Sequence, residues 1–166
     1  AHEREDGIQT LHWITEQSWY DGRIAMWGGS AFGHTQWAIA DQVDPGPEAL
    51  FVQIASTNFR DMFYPGNAFS LESALYWAIR SRGNRDREVV SIKDIEKGVN
   101  GFPVIEADDR ATGDTNFFND WLINKDNKDY WQQIDGENRT HTIKSPILLM
   151  AGWFDPFLPT QLNDFN

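Results

Sequence analysis

The chain has 166 residues, 40% hydrophobic and 23% charged, with a formal net charge of −11; this is ordinary globular composition and enough chain for a real core. It has no cysteine, which excludes a disulfide scaffold and thiolate metal sites. The acidic balance argues against a nucleic-acid partner, because the one basic cluster, "RSRGNRDR" at 80–87, is short and diluted, and no apolar run approaches the ~20 residues that span a bilayer, so no membrane association is expected.

"DGIQTLHWITEQSW" (6–19) places Ile8, Leu11 and Ile14 at three-residue steps, one face of an amphipathic helix. Asp6 followed by Gln9 resembles a capping box at its start. After the turn signal "YDG" (20–22), "RIAMW" (23–27) reads as a short buried strand. "AFGHTQWAIA" (31–40) reads as a helix stopped by "DPGP" (44–47), and "ALFVQIAS" (49–56) as the next strand. Strand, helix and strand without a hairpin imply a right-handed crossover in a parallel sheet. From about 58 to 141 the pattern turns helical, with candidates at 67–82, 91–98, 115–124 and 128–135. "SPILLMAGWFD" (145–155) then returns to an apolar run of the kind a buried parallel strand shows. The expected fold class is α/β, a parallel sheet with a mostly helical insertion. Residues 1–58 and 142–166 form the core and 59–141 the insertion.

"MWGGSAFG" (26–33) puts Ser30 on the turn between the first strand and the second helix, at the carboxyl edge where open α/β sheets hold their sites. A serine hydroxyl is a weak nucleophile that needs an adjacent base and N–H donors for the oxyanion that forms. A sharp strand-to-helix turn presents the side chain, and small neighbours such as Gly28 and Gly29 permit the backbone angles such a turn requires. The Ala31 N–H, from the residue after the serine, is the expected oxyanion donor. The match to G-x-S-x-G is imperfect, since Phe32 stands at the last glycine's place and Gly33 follows. Plain turn chemistry remains the competing reading.

Asp155 falls just past the last predicted strand, at the edge where Ser30 is expected. A carboxylate there can orient a histidine, and a loop or helix-capping aspartate is the other reading. With a histidine to follow, this is the α/β-hydrolase order of nucleophile and acid. The expected gap between the two side chains is one imidazole, roughly 6 to 9 Å with hydrogen bonds of ~3 Å on each side. His2 and His12 precede the serine, His34 lies one helical turn beyond it on a helix expected to point away from the pocket, and His141 sits before the last strand; each reads as surface or structural. No H-E-x-x-H or comparable spacing occurs, so neither a metal nor another cofactor is expected.

The blocks "EDGIQTLHWITEQSW", "GRIAMWGGSAFGHTQWA", "NKDYWQQID" and "SPILLMAGWFDPF" together resemble the cocaine esterase and X-Pro dipeptidyl-peptidase group of α/β-hydrolases, in order and over nearly the whole chain. The resemblance implies that Ser30 is the nucleophile, that Asp155 is the triad acid, and that residues from roughly 59 to 141 form a helical cap. It makes Trp77 and Phe157 candidates for the acyl pocket. It implies a small-molecule ester or short peptide substrate, cleaved through an acyl-enzyme. The sequence departs from the group's pattern. Ala31 stands where a tyrosine usually follows the nucleophile. The second oxyanion tyrosine would precede residue 1, and the histidine would follow Asn166. Phe32 and Gly33 lack the acidic residue of members that hydrolyse α-amino acid esters. The remainder of the same protein is therefore expected to complete the sheet and the triad, in a soluble protein with the cytoplasm the favoured compartment. The rival from another class is a non-catalytic binding module whose tryptophans, eight in the chain, stack on a carbohydrate or other flat ligand. A carboxylate-pair glycosidase ranks last, because no spacing among the 25 acidic residues singles out a pair.

Overall fold

In the computed structural model, residues 2–82, 90–113 and 115–166 are described; residues 83–87 of the basic cluster lie outside them. The elements in order are α1 (Glu3–Thr15), β1 (Ala25–Gly29), α2 (Ala31–Ile39), β2 (Ala49–Gln53), α3 (Arg60–Phe63), α4 (Leu71–Arg82), α5 (Ile92–Val99), α6 (Ala107–Ala111), α7 (Asn116–Ile123), α8 (Lys128–Gln132), β3 (Ile147–Met150) and α9 (Leu158–Phe165), with short 3₁₀ turns between some of them. The chain divides into two compact units, residues 1–62 with 129–166, and residues 63–128. This division falls inside the 59–141 span read as an insertion.

The first unit is an α/β layer. β1, β2 and β3 form a parallel sheet in that order, as the three apolar runs imply. Leu50 and Val52 on β2 are buried and meet Trp37 and Ala40 of α2, with Met26, Ile147 and Leu149 alongside. Gly33 allows α2 to lie this close, because a Cβ there would come within 2.4 Å of the Ala55 Cβ. The Ile8, Leu11 and Ile14 stripe of α1 packs on Ile24 and Ile39, and the Arg4 guanidinium donates to both Asp41 carboxylate oxygens. The opposite face of the sheet carries Trp27, Phe51 and Leu148 level with one another, with Trp27 and Leu148 exposed.

The capping box expected at Asp6 does not form. α1 starts three residues earlier, and its N-cap, His2, makes no side-chain cap hydrogen bond. Glu3, Glu5 and Asp6 all fall in the first turn, where their charge favours the positive helix start without a cap. α9 follows β3, although the sequence reading placed no helix there.

The second unit is helical among its described residues. Ala74, Leu75, Ala78 and Ile79 form the buried face of α4. Gly98 of α5 lets Leu75 approach, since a Cβ there would meet the Leu75 Cδ2 at 2.4 Å. Ser91 caps α5 by accepting from the Lys93 N–H. Phe63 stacks on Trp121 with ring centroids 4.1 Å apart, and buried Asp108 accepts from both the N–H and the hydroxyl of Thr115. No helix among the described residues is long and apolar enough to cross a membrane.

Candidate active site

β1 runs into the serine without a linker. Gly28 and Gly29 are the last strand residues and Ser30 is the N-cap of α2, with φ 55° and ψ −122°. Few residues other than glycine adopt that conformation, and it costs on the order of 1 to 3 kcal/mol. The turn is fixed by the Ser30 N–H donating to the Gln53 carbonyl of the neighbouring strand. The Gly33 and His34 N–H groups both donate to the Ser30 carbonyl. The Ala31 and Phe32 N–H groups therefore remain at the helix start without an intrahelical acceptor. No acidic side chain occupies the first turn of α2, so its positive end is unopposed.

The departure from G-x-S-x-G has a steric explanation. A Cβ on Gly28 would lie 2.6 Å from the Phe32 Cβ. The residues two before and two after the serine share one space. Here Phe32 fills it and Gly28, at φ 154°, leaves it open, so a single glycine satisfies the crowding.

Gly29, Gln53 and Met150 are level in the parallel register, so the carboxyl ends of all three strands lie on one edge. Ser30 leaves β1 there, and the 151–157 loop that carries Asp155 leaves β3 there. Two strand spacings, about 9.5 Å, separate β1 from β3. Asp155 is half-buried. Its Oδ1 accepts from the Phe157 N–H at 2.8 Å, and its carbonyl accepts from Leu158 N–H. It therefore shapes its own loop, while Phe157 is the N-cap of α9. Phe157 is buried, 5% exposed, and its ring meets the His34 imidazole edge to face at 5.0 Å. Trp153 and Phe154, just before Asp155, are fully open at 90% and 102% exposure. Trp77 belongs to the second unit, half-buried on α4.

The four histidines divide. His2, His12 and His141 are exposed, and His141 lies in the turn before the amino end of β3. His34, read as surface or structural, lies half-buried between Phe157 and Phe59, each with ring centroids 5.0 Å away. Its Nε2 is buried without a hydrogen-bond partner. Burial lowers its pKa to about 4, although the Ser56 backbone acts in the opposite direction, so the ring is neutral at pH 7.

Sequence reasoning missed the loop that follows β2. Ile54 has φ 41°, a strained value for a β-branched residue. Asp164 of α9 accepts from the N–H and hydroxyl of Thr57. Asp135 accepts from the Phe59 N–H at 2.6 Å, with the Arg60 N–H directed at the same carboxyl. Burial raises the pKa of both carboxyls against these hydrogen bonds, that of Asp135 to about 6. These partners are 76 and 107 residues apart in sequence, so no local pattern pairs them. Among the described residues no group of three His, Asp or Glu side chains could hold a metal ion.

The family model of the X-Pro dipeptidyl-peptidase (S15) family matches residues 1–166. The chain belongs to that family. It is also 32% identical, over 180 aligned residues, to the cocaine esterase of Rhodococcus sp. (strain MB1 Bresler). That match covers 96% of this chain and 31% of the relative, so the chain spans about a third of the relative's length.

Proposed function

We propose that the S15 chain carries the nucleophile and triad acid of a serine hydrolase that cleaves esters or amides through an acyl-enzyme. The observation that carries this reading is the Ser30 backbone, at φ 55° and ψ −122° on a strand-to-helix turn. That is the strained presentation a nucleophile elbow requires, in a chain of a peptidase family with an esterase relative.

In this reading the Ser30 Oγ attacks the carbonyl carbon of the substrate. Its proton passes to a histidine oriented by Asp155, and the oxyanion accepts from the Ala31 N–H at the positive start of α2. The histidine then returns the proton to the leaving group, and water, activated the same way, releases the acid. His2 and His12 are exposed at the cap and on the surface of α1, His141 precedes the amino end of β3, and His34 is enclosed by two phenyl rings. In this reading the base is a histidine elsewhere in the polypeptide, in keeping with the far greater length of the relative. Phe157 contributes to the substrate pocket. A small acyl ester or a short peptide of X-Pro type is the substrate class.

The test is reaction of the full-length protein with a fluorophosphonate, which phosphonylates only an activated serine. Labelling that Ser30→Ala abolishes supports the reading; an unlabelled, folded protein refutes it.

A further inference from the structure

Two loops and one helix turn converge on the His34 ring. The ring belongs to the first turn of α2, four residues after Ser30, and the His34 N–H donates to the Ser30 carbonyl. Residues four apart share a helix face, and side chains tilt toward the helix start. The imidazole thus leans back toward the serine turn. On one side it meets Phe157, whose N–H is held by the Asp155 carboxylate. On the other it meets Phe59, whose N–H is held by Asp135. Both contacts are edge to face, at interplanar angles of 65° and 81°. The β2 loop that delivers Phe59 is itself fixed, by Asp164 at Thr57 and by the Thr57 carbonyl accepting from the Gly136 N–H.

Nε2 is buried and makes no hydrogen bond, and the hydrogen bond the ring does make is with the Ser56 backbone. What the ring supplies is a flat body of fixed thickness between the nucleophile's helix and the acid's loop.

We propose that His34 is a positioning residue: wedged between Phe59 and Phe157, it acts as the spacer that sets the separation between the Ser30 turn and the Asp155 loop. The inference rests on the reading of Ser30 and Asp155 as nucleophile and triad acid. The wedge acts through Phe157, because the backbone N–H of Phe157 is the group that holds the Asp155 carboxylate. A histidine bridging Ser30 and Asp155 tolerates little error in that gap. A misplacement near 1 Å in an active site costs on the order of 10²-fold in rate.

The experiment measures kcat and KM of the full-length protein on a p-nitrophenyl ester, at a temperature where circular dichroism shows each variant folded. His34→Phe keeps an aromatic spacer and should retain kcat within about threefold. His34→Ala removes the spacer and should lower kcat by roughly 10²-fold, with KM within about threefold. Phe157→Ala should lower kcat comparably and add little on top of His34→Ala, since both act on one gap. If His34→Ala does not fold, His34→Leu decides, with a kcat loss intermediate between those of Phe and Ala. The proposal is overturned by a folded small variant with unchanged kcat or by a loss confined to KM. It is equally overturned if His34→Phe loses as much as His34→Ala, because the nitrogens would then be the functional part. A Ser30→Ala variant as active as the parent would overturn the nucleophile assignment instead, an outcome that these His34 comparisons do not share.

Discussion

Replacing His34 with phenylalanine should change how stability responds to pH, by an amount the burial of two groups sets. The folded-state pKa of His34 lies at about 4, against 6.5 in an unfolded chain. Between those values the unfolded chain binds a proton that the folded ring refuses, so this group's contribution is complete at pH 7 and is lost as pH falls through the window. At about 1.4 kcal/mol for each tenfold change in proton affinity, the loss approaches ~3 kcal/mol. Asp135 works in the opposite direction. Its pKa rises from 3.8 to about 6, so the folded state holds a proton the unfolded chain has released. Stability then falls by a similar ~3 kcal/mol as pH rises from about 4 to 6. Asp164, also raised by burial, has the same sign as Asp135. In the parent chain the two slopes largely cancel between pH 4 and 6. His34→Phe removes one of them and keeps the ring between its two phenyl neighbours. Urea unfolding at pH 4.0 and 7.0, on either side of the isoelectric point near 4.6, reads the difference directly. The variant should gain about 3 kcal/mol on the parent at pH 4.0 relative to pH 7.0. Asp135→Asn should gain up to that much at pH 7.0 and little at pH 4.0, because its remaining oxygen can still accept from Phe59. Variant and parent curves that run parallel at all pH values would refute the assignment of these two groups as buried and oppositely shifted.

Gly28→Ala and Gly33→Ala should each destabilise the chain by about 2 to 4 kcal/mol in thermal unfolding, because their Cβ atoms would meet Phe32 and Ala55 at 2.6 and 2.4 Å. Gly29→Ala should cost less than about 1 kcal/mol, since its nearest neighbour would stand at an ordinary 3.4 Å; equal losses at all three glycines would contradict the crowding argument at the turn. Asp155→Asn in the full-length protein should lower kcat on the order of 10⁴-fold while leaving stability within about 1 kcal/mol, because the amide oxygen still accepts from the Phe157 N–H. An unchanged kcat would assign Asp155 to loop structure alone.

The sheet and its serine turn are legible in the sequence because their signals are local. Each strand lies on an apolar run, although β1 covers Ala25–Gly29 rather than 23–27 and takes in both glycines that precede the serine turn. The Ile8, Leu11 and Ile14 spacing names the face of α1 that packs on Ile24 and Ile39. The start of α1 is misread because two cues compete: Asp6 and Gln9 fit a capping box, but three acidic residues stabilise a helix that begins at Glu3. The spacing of Phe32 and Gly33 looks like a flawed motif until the turn is built and Gly28 proves to hold the needed space. The surroundings of His34 are not legible at all. Helical periodicity gives its direction along α2, but Phe59 and Phe157 arrive from other elements, and the carboxylates that aim those loops come from residues 135, 155 and 164. The pairings made by Asp135 and Asp164 span 76 and 107 residues and leave no periodic trace.

The most direct measurement is the site of covalent modification. The full-length protein is treated with a fluorophosphonate, digested, and the modified residue located by mass spectrometry. The account predicts phosphonylation at Ser30, abolished by Ser30→Ala and slowed by Asp155→Asn. Modification at another serine, or none in a folded protein that hydrolyses p-nitrophenyl esters, would contradict it.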